Sequence, residues 1–151
     1  MPRERFSENH TFLPKRAFLS FEEIEKVVRS CMSLGLEKVR ITGGEPLLRK
    51  DLPTLIEMLS GLGIEIALTT NASLLKKEAK ALHSAGLTRV TVSLDALDPE
   101  LHRTMSDSNI SVESVLEGID EAIRVGLSPV KINCVVQKGV NEEEVSKLVN
   151  H

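Results

Sequence analysis

Apolar and polar residues alternate along four short stretches, 37–42, 63–70, 88–95 and 129–137. Each follows a segment whose apolar residues recur at helical spacing and that ends near a glycine. The first alternation predicts β-strands and the second amphipathic helices. The first helix starts at Ser20, where Ser20 and Glu23 make a capping-box pair. Ile24, Val27, Val28, Cys31 and Leu34 form its expected apolar face, and Gly35 ends it. Further helices are expected over 52–62, 74–85, 99–105 and 112–125, and a last one begins at Asn141. A helix followed by repeated strand–helix units means a parallel sheet with right-handed crossovers. No linker, low-complexity stretch or charge block divides the chain, so 1–151 reads as one domain.

Side-chain parity sharpens the fold. Successive strand residues point to opposite faces. One face collects Val39 and Ile41; Ile64, Ile66 and Leu68; Val90, Val92 and Leu94; Val130, Ile132, Cys134 and Val136. The other collects Arg40 and Thr42; Glu65, Ala67 and Thr69; Thr91, Ser93 and Asp95; Lys131, Asn133, Val135 and Gln137. A doubly wound sheet is apolar on both faces because helices cover both. Here helices suffice for one face only. The expected fold is therefore α/β, a partial TIM-type (β/α) barrel of parallel strands with four βα units. Its polar face lines a lumen, and its chemistry sits at the C-terminal strand ends. Arg40, Thr69, Ser93, Asp95, Lys131 and Asn133 lie on that face, and a cationic, hydroxyl-rich lumen suits a phosphorylated substrate.

Composition removes several alternatives. The 151 residues carry a formal net charge of −3 and no Trp or Tyr, which argues against a nucleic-acid partner. No apolar run approaches the roughly 18 residues of a membrane span. The opening residues lack a secretory pattern, so a cytoplasmic location is expected, or a mitochondrial one in a eukaryote. Cys31 and Cys134, far apart, exclude a disulfide framework and a CxxC metal site. The four histidines show no ligand spacing and are expected to be exposed.

Thr42-Gly43-Gly44-Glu45-Pro46 follows the first predicted strand. Its glycines let backbone approach a ligand, and its carboxylate can receive an ammonium group. With KVRITGGEPLLRKDL (38–52), LTTN (68–71), AGLTRVTVSLDALD (85–98) and PVKINCVVQKGVNEEE (129–144), the chain resembles the radical S-adenosylmethionine enzymes. More narrowly it resembles the molybdenum cofactor biosynthesis protein A family, the GTP 3′,8-cyclases.

The resemblance implies that Gly43, Gly44, Glu45 and Ser93 bind S-adenosylmethionine and that Arg40, Thr69 and Lys131 bind GTP. It names no catalytic residue in this stretch. It implies a radical cyclisation: a [4Fe-4S] cluster and S-adenosylmethionine start the reaction, and GTP becomes (8S)-3′,8-cyclo-7,8-dihydro-GTP. It also implies a homodimer.

The chain departs from the family pattern in three places. The cluster-binding CxxxCxxC is absent, and Met1-Pro2 matches the Met-Pro directly after the motif's third cysteine in the family, so a fragment beginning just past that motif is expected. The family also continues beyond His151 to six βα units and a second cluster. Ala72 stands where the family has Gly after TTN; if that position needs φ > 0, it costs about 1–2 kcal/mol unless Asn71 takes the turn. Without thiolates the chain alone is expected not to cleave S-adenosylmethionine. The alternative is a cluster-free half-barrel that binds a nucleotide or partner without chemistry. A peptide-modifying relative is a further reading, which the KIN and TTN strings argue against.

Overall fold

The computed structural model describes residues 17–151. Helix α1 (Phe21–Met32) leads into strand β1 (Lys38–Ile41), and a single 3₁₀ turn (Pro46–Leu48) precedes α2 (Leu52–Ser60). Then come β2 (Glu65–Thr70), α3 (Leu75–Ser84), β3 (Arg89–Ser93), α4 (Pro99–Ser106), α5 (Val112–Val125), β4 (Val130–Asn133) and α6 (Glu142–Asn150). The strands are each shorter than the alternating stretches that announce them, and the sheet runs β1-β2-β3-β4 with every pair parallel.

The capping box at Ser20 forms as its sequence pattern requires: Glu23 N–H donates to Ser20 Oγ at 3.2 Å, and Ser20 N–H donates to the Glu23 carboxylate at 2.7 Å. The buried face of α1 is rotated from expectation. Phe21, Ile24, Val28 and Met32 face the core, whereas Val27 and Leu34 are exposed. Both stripes satisfy helical spacing, and the one that includes bulky Phe21 is the one seated on α2 and the sheet.

One continuous core lies between the sheet and its helices. Ile66 and Leu68 of β2 and Val90 and Val92 of β3 are fully buried there, against Leu55, Ile56 and Leu59 of α2, Leu75 and Leu82 of α3, and Val115 and Ala122 of α5. The parity division therefore holds in the two central strands. At β4 it is diluted: Ile132 and Val136 remain substantially exposed.

α5 approaches the end of β2 unusually closely. Gly118 sits over the turn after β2, where an added Cβ would lie 3.1 Å from both the Ala72 carbonyl oxygen and Leu75 Cβ. Ala72 itself has φ +61° and is fully buried. The left-handed turn thus falls on residue 72, and its steric cost is about 1–2 kcal/mol for a residue bearing a Cβ.

Candidate functional site

The loop after β1 is built around backbone that a ligand can reach. Gly43 has φ +155°, and a Cβ on Gly43 or Gly44 would meet no atom within 4 Å. Glu45 holds this loop to the end of β2. Its Oε1 accepts from Leu47 N–H at 2.9 Å and from the Thr70 hydroxyl at 2.7 Å, and its Oε2 accepts from Asn71 N–H at 2.7 Å. Thr70 Oγ1 in turn accepts from Ala72 N–H at 3.0 Å. Glu45 is therefore first a clamp between the Gly43-Gly44 loop and the Leu68–Asn71 strand end. A carboxylate offers about four lone-pair directions, so one side of Glu45 stays open to a donor such as an ammonium group. The open glycines and this remaining acceptor fit the amino-acid end of S-adenosylmethionine.

The polar face of the sheet is layered. At its base Glu65 is shared by Lys38 Nζ and Arg89 Nε, each at 2.9 Å. The hydrogen bond from Lys38, helped by the Arg89 charge, holds the Glu65 carboxyl below the usual range. One step toward the C-terminal ends, Thr69, Thr91 and Lys131 stand in register across β2, β3 and β4. Arg40 reaches over from β1: its Nη1 donates to Thr69 Oγ1 at 3.0 Å and to Thr91 Oγ1 at 2.9 Å. Ser93 and Asn133 form the next row. The ion pairs among the described residues include neither Arg40 nor Lys131. This face presents Lys38, Arg40, Arg89 and Lys131 against Glu65 and Asp95, an excess of positive charge on a chain of net charge −3.

Beyond β3 and β4 a second clamp closes the strand ends. The Asp95 carboxylate accepts from Val135 N–H at 2.7 Å, so it braces the chain after β4. Buried Asn141 donates to the Asp95 and Val135 carbonyls at 2.8 and 2.9 Å and accepts from Gln137 N–H at 2.7 Å. Glu144, only 3% exposed, accepts from Leu97 N–H at 2.7 Å and Asp98 N–H at 3.1 Å. Its Lys147 partner, with those amides, holds its carboxyl below the usual range.

His102 differs from expectation. It is buried in α4, and its Nδ1 has no hydrogen-bond partner among the described residues. Burial lowers its pKa from the ordinary 6.5, against a smaller opposing pull from Asp95. His83 and His151 are exposed, and His10 lies outside the described residues.

The thiols do not fit an iron–sulfur cluster. Cys31 is half-buried on α1, and Cys134 donates to the Asp95 carbonyl at 3.6 Å, with burial and then the Asp95 and Glu144 charges pushing its pKa up. Clusters take thiolates, and the described residues hold no group of His, Cys, Asp or Glu arranged for a metal.

The structure joins Arg40 to Thr69, sets Lys131 in the same layer, and places Ser93 one row above. Motif reading passes over Thr91, which side-chain parity puts beside them, and over Asn141 and Glu144, whose burial has no sequence signature within an acidic run.

A family model described as the radical SAM superfamily matches residues 5–151. The GTP 3′,8-cyclase of Xanthomonas axonopodis pv. citri is 51% identical over 153 residues, covering 100% of this chain and 46% of that protein. That of Acidothermus cellulolyticus is 49% identical over 150 residues, covering 98% of this chain and 41% of that protein. The chain thus spans less than half the length of these relatives. Among solved structures, Streptococcus suis SuiB bound to S-adenosylmethionine superposes with a TM-score of 0.78 at 25% identity, covering 94% of this chain and 32% of that one. Archaeal TYW1 shares the fold, with a TM-score of 0.65 at 18% identity over 93% of this chain and 54% of that one. A parallel part-barrel, an open Gly-Gly loop at a strand end and a family match across nearly every residue agree: the chain belongs to the radical SAM superfamily.

Proposed function

We propose that this chain forms the S-adenosylmethionine- and nucleotide-binding sheet of a GTP 3′,8-cyclase of molybdenum cofactor biosynthesis. The observation that carries the reading is the row Arg40, Thr69, Thr91 and Lys131, with two cations outside any described ion pair. Polyphosphate is recognised by such cations and by hydroxyl donors. The identities near 50% with cyclases of two organisms support GTP as the nucleotide.

In this reading Gly43, Gly44, Glu45 and Ser93 hold S-adenosylmethionine, and Arg40, Thr69 and Lys131 hold GTP. When bound together with a [4Fe-4S] cluster, S-adenosylmethionine supplies radical chemistry. The thiolates for that cluster are not among this chain's residues. What the residues present do is orient: the Glu45 clamp fixes the loop that meets the amino acid, and the cationic row fixes the nucleotide. The reading includes a cytoplasmic enzyme that forms a homodimer and engages neither nucleic acid nor membrane. Among the described residues no helix is long and apolar enough to cross a membrane.

Calorimetric titration of each ligand tests the assignment. Lys131→Ala should weaken GTP binding about tenfold, as for loss of a charge-assisted hydrogen bond, and leave S-adenosylmethionine binding within about twofold. Equal loss of both ligands contradicts the assignment.

A further inference from the structure

We infer that Thr91 is a positioning residue for the nucleotide site, acting through Arg40. The inference rests on the nucleotide reading above and assigns a role that the motifs do not.

Arg40 belongs to β1, an edge strand of the described sheet, yet its guanidinium lies across β2 and reaches β3. A long cationic side chain on an open face would ordinarily sample many rotamers and lose that freedom on meeting a ligand. Here a single nitrogen, Nη1, donates to both Thr69 Oγ1 and Thr91 Oγ1, at 3.0 and 2.9 Å. The guanidinium is planar and its donors form a rigid fork. Two hydroxyls on adjacent strands therefore set the plane of the group as well as its place. The other N–H donors of Arg40 have no acceptor among the described residues and remain for a ligand. One hydroxyl alone would leave the group free to pivot about that bond.

Thr91 suits this role better than it suits direct contact. It is 7% exposed, whereas Thr69 is half-buried and Lys131 exposed. The Lys38–Glu65–Arg89 group beneath supplies no competing hydrogen bond to the Arg40 guanidinium. Thr91, the more buried of the two hydroxyls, thus anchors Arg40, and Arg40 presents the charge.

The test uses the full chain and calorimetric titration with GTP, guanosine and S-adenosylmethionine. Arg40→Ala is the reference and should weaken GTP at least about tenfold. Thr91→Val and Thr91→Ala, which remove the hydroxyl with and without keeping the side chain's bulk, should each weaken GTP about three- to tenfold. Guanosine and S-adenosylmethionine affinities should stay within about twofold, because the lost orientation concerns an anion contact. Thr91→Ser keeps the hydroxyl and should restore GTP affinity. If Arg40→Ala loses GTP while both hydroxyl-deleting variants bind it like the parent, the role of Thr91 is overturned and the nucleotide reading stands. A loss that spreads equally to guanosine and S-adenosylmethionine, or that Thr91→Ser fails to rescue, also overturns it, since that is damage to the sheet. If Arg40→Ala itself binds GTP like the parent, the nucleotide reading falls with it.

Discussion

Leu68 and Thr69 are neighbours in β2 and point to opposite faces of the sheet. Leu68 is fully buried beneath the helices, and Thr69 is half-buried and receives the Arg40 guanidinium. Along the helix face the central-strand side chains Ile66, Leu68, Val90 and Val92 are apolar and fully buried, and only Thr70 at the end of β2 is polar there, hydrogen-bonded to Glu45. Along the other face the side chains bond to one another and leave Arg40, Ser93 and Lys131 exposed. The same backbone therefore carries two kinds of energy. Burial on one side makes the sheet persist, and polar groups on the other keep donors and charges available. A register slip of one residue would exchange the two sets, so strand pairing is held by the contrast itself.

Mutations can break that contrast. The largest effect is expected in the core: Leu68→Ala should cost about 2–5 kcal/mol in chemical denaturation. Thr69→Ala, one residue away, should cost about 1 kcal/mol or less. Equal losses would mean that the polar face carries packing too. The clamp beyond β3 and β4 should rank next. Glu144→Ala leaves the Leu97 and Asp98 amides without their acceptor, at about 2 kcal/mol for hydrogen bonds to a charged group. Hydrogen exchange at those amides should rise before exchange in β2 does; unchanged protection there would show that the clamp is redundant.

A smaller effect than the clamp's is expected at His102, and its sign is opposite. An apolar side chain of similar size removes an unpartnered buried nitrogen, so His102→Leu should stabilise by about 1 kcal/mol. The parent should also depend on pH. The folded pKa of His102 lies below the ordinary 6.5, so the unfolded chain takes up the proton first as pH falls. The contribution of the neutral ring is complete above about pH 6.5 and declines below it. His102→Leu should flatten that part of a melting-temperature profile between about pH 7.5 and 5.5. A profile unchanged by the substitution would assign the dependence elsewhere.

Strand parity and helix spacing were sufficient for the order of elements, the parallel sheet and the face of the sheet that stays polar. They work because burial on one face only leaves a period-two signal in every strand. The face of α1 was not legible to the residue, since Val27 and Val28 adjoin and only the packing partner selects between them. His102 was not legible at all: a buried histidine in a short helix has the same local pattern as an exposed one. In the candidate site, Gly43, Gly44, Arg40, Thr69 and Lys131 are the residues that motifs and parity single out. The clamp duties of Glu45, and the burial of Asn141 and Glu144, depend on loops meeting across the ends of different strands. No local spacing encodes such meetings.

Gly118 and Ala72 carry a consequence for how this sequence can drift. The carbonyl of a residue already in the left-handed region lies against a helix position that has no side chain. A methyl at 118 would lie 3.1 Å from the Ala72 carbonyl oxygen and press on a turn that already holds a side chain in the left-handed region. The two positions are thus expected to be coupled: with glycine at 72 the turn can shift more readily, so Gly118→Ala should cost less in that background than with alanine at 72.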